Sequence, residues 1–173
     1  MKRSLLIAIA GLAALATWGG AALGSGGDPA VDRALATARS ATARFHDVEA
    51  AEAAGYVRVS ECETEPGLGA MGFHYLNPAY AADDSIKITK PEILVYAPKS
   101  DGRLRLVAIE YFKADADQDP ATDSDRPTFA GVPFDGPMEG HSEGMPVHYD
   151  LHAWVWAHNP VGAFEQYNPN LAR

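Results

Sequence analysis

Five residues able to hold a metal are scattered through a chain of 173 residues: His74, Glu110, His148, Asp150 and His152. Three of them sit in HYDLH, residues 148–152. In a strand, His148, Asp150, His152, Trp154 and Trp156 share one face, and Tyr149, Leu151, Ala153 and Val155 share the other. Residues four apart in a strand are separated by about 13 Å, too far for both histidines to reach one ion with bonds of about 2.1 Å. Same-face neighbours, about 6.6 Å apart, can chelate. A third ligand must then come from another strand. His74 and Glu110 are the candidates, because each is a lone polar residue within an apolar run. In a helix the two histidines would lie about 6 Å apart. However, Asp150 is not the second-position Glu of H-E-x-x-H, and the Tyr, Trp and Val content favours a strand. Neutral imidazole and carboxylate suit Zn, Cu(II) or Fe(II), and three protein ligands leave a position for water or substrate. The expected pocket adds Tyr75, Trp154 and Trp156. A rival reading makes the same residues a hydrogen-bonded network in a non-catalytic structural or protein-interaction module. The alternation also suits a half-exposed sheet.

A second chemistry overlaps the first. GHSEG, residues 140–144, matches G-x-S-x-G and would make Ser142 the nucleophile of a serine hydrolase. That turn needs a strand before it and a helix after it. Pro137 and Pro146 oppose both, and Asp150 and His152 follow Ser142 too closely for the usual arrangement. Two further motifs lack their context. GLGAMG, residues 67–72, has the glycine spacing of a dinucleotide turn, but Pro66 precedes it and the strand-like FHYL follows. Asp115, Asp117 and Asp119 begin a calcium-loop pattern, but Pro120 and Arg126 stand where Gly and Glu are required.

The elements that must position these residues follow from periodicity. Asp28-Pro29 starts a helix, with Val31, Leu35, Ala38, Thr42 and Phe45 on one face. Asp47 caps a second helix, and Gly55 stops it. Residues 28–55 are therefore expected to be helical. Strands are expected at Met71 to Leu76, Glu92 to Ala97, Leu104 to Phe112 and Val147 to Trp156. Residues 113 to 146, with five prolines, read as a long loop. The expected fold is α+β, N-terminal helices packed on a mostly antiparallel sheet.

The chain opens MKRSLLIAIAGLAALATWGGAALGSGG, which has the charged, apolar and small-residue regions of a signal peptide. Residues 1–24 are expected to be the signal and 25–173 a single domain, secreted or periplasmic, with no stable membrane insertion after cleavage. The whole chain carries a formal charge of −9. Removing Lys2 and Arg3 leaves 12 basic residues against 23 acidic ones. So acidic a surface excludes nucleic acid as a natural partner and favours cations or small molecules. Cys62 is the only cysteine, so no disulfide forms within the chain.

The blocks GAMGFHYLNP (69–78), PEILVYAP (91–98), LVAIEYF (106–112), HYDLHAWVWAHNP (148–160) and YNPNL (167–171) resemble a group of small exported bacterial proteins. The resemblance covers most of 43–171 and implies export, but no activity, cofactor or site. It also implies a cysteine just after the final N-P-N, able to pair with the one matching Cys62. This chain reads Asn170-Leu-Ala-Arg173 there.

Overall fold

The computed structural model describes residues 27–171; the expected signal peptide lies outside the described residues. Helix α1 spans Pro29–Thr42, and the Asp28 carboxylate accepts the Ala30 N–H at its start. A 3-10 turn, Ala43–His46, carries the chain on to α2, Val48–Ala53, which Asp47 caps. Gly55 ends it with φ +94, a conformation that only glycine adopts freely. A third short helix, α3, is Pro78–Ala81.

Nine strands follow α2: β1 Val57–Arg58, β2 Glu63–Glu65, β3 Gly69–Leu76, β4 Ile93–Pro98, β5 Leu104–Ala114, β6 Thr128–Phe129, β7 Val132–Pro133, β8 Asp135–Met138 and β9 His148–Ala153. Seven of them form one antiparallel sheet in the order β1-β3-β4-β5-β9-β8, with β2 also paired to β3. The β6–β7 pair stands apart. The fold is α+β, with helices packed on a mostly antiparallel sheet. Among the described residues no helix is long and apolar enough to cross a membrane.

Two expectations need correction. The segment 113–146 is not one loop: it holds the end of β5 and the strands β6, β7 and β8. β8 lies at the sheet edge beside β9, where Pro137 removes no essential ladder bond. The last expected strand ends at Ala153 rather than Trp156, because the backbone turns back so that the Trp156 and Ala157 N–H groups both bond the Val107 carbonyl.

The central strands β4, β5 and β9 are buried on both sides, and the two faces of the sheet differ in kind. One face carries Tyr75, Leu94, Tyr96, Ile109, Tyr111 and Leu151, and packs on Ala34, Ala38, Phe45 and Ala51 of the helical segment. The other carries a smaller apolar cluster, including Ile93, Val95, Ala108 and Phe112. All six residues of β9 are buried. Its alternation therefore marks a buried polar face, not the half-exposed sheet that the same pattern allows.

Candidate metal centre

Register explains which polar residues meet. Glu110 on β5 pairs with His152 on β9 and with Ile93 on β4, while His74 on β3 pairs with Val95. Asp150 stands opposite Phe112 and His148 opposite Ala114. By the two-residue alternation of strands, all five share the second face. They line up there as two groups.

The first group is His74, Glu110 and His152, all buried. His74 Nε2 lies 3.3 Å from Glu110 Oε2 and 3.4 Å from His152 Nε2. His152 Nε2 lies 3.5 Å from the same Glu110 oxygen. A tetrahedral ion with bonds of about 2.1 Å has ligand atoms about 3.4 Å apart. The three atoms thus form one face of such a tetrahedron, and the fourth position is open. They border a cavity of about 480 Å³, together with Ser60, Glu63, Met71, Met138 and Tyr167.

Local hydrogen bonds turn His74 toward this point. Ser60 Oγ donates to the Glu61 carbonyl at 2.8 Å and accepts the His74 backbone N–H at 3.0 Å. Its remaining lone pair faces His74 Nδ1 at 2.8 Å, so Nδ1 carries the proton there. Glu63 Oε1, another acceptor, stands 3.6 Å from the same nitrogen. His74 Nε2 is therefore a bare lone pair aimed at Glu110, the outer-shell arrangement typical of metal-bound histidine. His152 has no such support: its Nδ1 is buried without a protein partner, and its ring stacks on Trp154. Glu110 Oε2, at the centre of the contacts, has no hydrogen bond.

The electrostatics agree with the geometry. Burial lowers the His74 pKa to about 4, helped by His141. Burial also lowers that of His152 to about 3, helped by His74. Both imidazoles are neutral at pH 7, the form that binds metal. Burial raises the Glu110 pKa well above the usual carboxylate range, and Asp150, Glu63 and Glu92 raise it further. Without a cation, burial favours the protonated form of Glu110. With one, the proton leaves and the carboxylate becomes a ligand.

The second group is His141, His148 and Asp150, whose ligand atoms lie within 4.8 Å of one another. His148 and Asp150 are buried, and His141 is exposed on the segment between β8 and β9. Burial raises the Asp150 pKa to about 7, with smaller contributions from Asp135 and Glu63.

The five expected ligands thus share a face but divide between two groups. Two of the expected pocket aromatics lie elsewhere. Tyr75, next to His74 in the strand, points to the helix side and packs edge-on against Tyr96. Trp156 lies past the end of β9, where strand alternation no longer applies. Its ring sits under Arg39 and its Nε1 donates to Thr42 Oγ1. Trp154 flanks His152, and its Nε1 donates to the Glu165 carbonyl. Ser142 occupies a bend that leads into β9 rather than a helix, and its hydroxyl has no hydrogen-bonded histidine among the described residues. The nucleophile elbow is absent. Sequence reasoning missed His141 and Ser60. Ser60 gave no signal, whereas His141 stood inside the GHSEG motif.

Comparison of the chain with protein-family models, curated proteins and solved structures found no match. The reading of the site rests on its own geometry.

Proposed function

We propose that this protein is an exported domain that binds a divalent transition metal through His74, Glu110 and His152. The observation that carries the reading is the triangle of 3.3, 3.4 and 3.5 Å among three buried ligand atoms, of which Glu110 Oε2 has no hydrogen-bond partner. Two neutral imidazoles and one carboxylate favour Zn, Cu(II) or Fe(II) over Mg or Ca, which prefer oxygen-only sites. The open position faces a cavity large enough for water or a small polar ligand. Export rests on the N-terminal sequence and on the resemblance to exported bacterial proteins. A cation-free network is the competing reading. It is disfavoured because a network fully satisfied by protein groups would not leave Glu110 Oε2 unpartnered.

Thermal unfolding of the purified, untagged chain tests the reading. Zn²⁺, Cu²⁺ or Fe²⁺ should raise the midpoint, and Mg²⁺ should not. At a hundred times the dissociation constant the gain is about 2.7 kcal/mol. Binding should tighten as pH rises, because Glu110 must lose its proton. Equal effects of Mg²⁺ and Zn²⁺, or none from either, would remove the reading.

A further inference from the structure

We infer that the same cavity holds a second, separate cation site, formed by His141, His148 and Asp150. The inference rests on different residues from the first site and stands if that site fails.

His148 is fully buried, and its ring stacks on Phe112 with centroids 5.0 Å apart. Its Nδ1 faces the Pro146 carbonyl at 3.0 Å. A carbonyl only accepts, so Nδ1 carries the proton and Nε2 is a bare lone pair. That Nε2 has no hydrogen-bond partner. The nearest carboxylate oxygen, Asp150 Oδ2, is 3.8 Å away and is itself an acceptor when ionised. The other Asp150 oxygen, Oδ1, is buried without a partner as well. When Asp150 is ionised, two acceptors therefore face each other with no protein donor between them. Leaving such groups unpaired is unfavourable, more so if charged. A cation removes the cost at both atoms.

His141 completes the set from outside the sheet. Its ring meets that of His148 edge-on, with centroids 5.1 Å apart. It is exposed and belongs to the connection between β8 and β9, and it lines the cavity with Ser142, Met145 and Asp150. Two imidazoles and one carboxylate are the same ligand set as in the first group, so the same class of borderline transition metal fits. The two groups are offset by the step from Asp150 to His152, about 6.6 Å along β9. The two groups share no ligand, so each ion would bind independently of the other. Because His141 is the one ligand on an irregular segment, the second ion would fasten residues 139–146 over the cavity.

Zinc titration of the metal-free, untagged chain, read as stoichiometry by calorimetry, tests the inference. Wild type should bind two equivalents. His141→Ala and Asp150→Asn should each bind one, and His74→Ala should also bind one. His141 is exposed, so its variant keeps the fold, and circular dichroism verifies this for all three. In the wild type, zinc should also slow proteolysis within residues 139–146, and that protection should disappear in His141→Ala but persist in His74→Ala. A single equivalent in wild type that survives His141→Ala would overturn the second site and leave the first intact. A single equivalent lost in His141→Ala but kept in His74→Ala would support the second site and remove the first. Two equivalents in both wild type and His141→Ala would overturn the assignment of His141.

Discussion

The two faces of this sheet treat buried polar groups in opposite ways. On the helix face the phenols find carbonyls: Tyr96 donates to Phe45, Tyr111 to Ile88 and Tyr56 to Pro91, at 2.6–2.7 Å. On the other face Glu110 Oε2, His152 Nδ1, His148 Nε2 and Asp150 Oδ1 have no protein partner. A pair of glutamates makes the contrast sharpest. Glu92, just before β4 and beside Tyr111, is buried, but its Oε2 accepts the Phe112 N–H at 3.2 Å. Glu110 is buried equally well and accepts nothing at Oε2. The first face is built for stability. The second carries unsatisfied polar atoms that a folding argument alone does not require, and a cation would satisfy Glu110 Oε2, His148 Nε2 and Asp150 Oδ1.

The contrast predicts separable effects. Leu94→Ala on the helix face should cost the most, about 3 kcal/mol in urea unfolding, with metal affinity unchanged. Leu94 is fully buried in the helix-side core, so the loss comes from a cavity. Tyr111→Phe should cost about 1–2 kcal/mol, because it leaves the Ile88 carbonyl without its donor. Again metal affinity should not move. Glu110→Gln should behave differently. Without metal its stability should stay within about 1 kcal/mol of wild type or exceed it, since no hydrogen bond to Oε2 is lost. With metal, the stabilisation seen in wild type should vanish. A large loss of stability in metal-free Glu110→Gln would break the comparison, because it would show that the site face is structural.

A further effect is a pH dependence. Burial raises the Glu92 pKa to about 7 from an ordinary 4.5, against the opposing bond from Phe112. A folded-state pKa above the unfolded one means that the folded chain binds the extra proton. The contribution of Glu92 is then fully present below pH 4.5 and is lost as pH rises through about 7. The stability of wild type relative to Glu92→Gln should fall between those values and level off above them. A difference that is flat from pH 4 to 8 would contradict the burial of Glu92 as an ionisable group.

Much of this was legible in the chain. The four principal strands stood out because Val, Ile, Tyr and Leu alternate or run on between turn residues, and both helices carried their own Asp caps. His74 and Glu110 were legible as lone polar residues in apolar strands. Three things were not. The strands β6 to β8 are two to four residues long and contain Pro133 and Pro137, so no periodicity could reveal them. Trp156 was placed by extending strand parity past Ala153, where the backbone leaves the sheet. The division of one expected site into two depends on register across three strands, which a single sequence does not contain. His141 illustrates the same limit. Its neighbours direct attention to Ser142, and only the fold brings its ring to His148.

Metal content of the untagged protein, measured by plasma mass spectrometry beside His152→Ala, tests the central claim most directly. The structure predicts bound transition metal in wild type and one equivalent less in the variant. Absence of bound metal from both, even after incubation with Zn, Cu, Mn and Fe, would contradict it and make the histidines of this face structural.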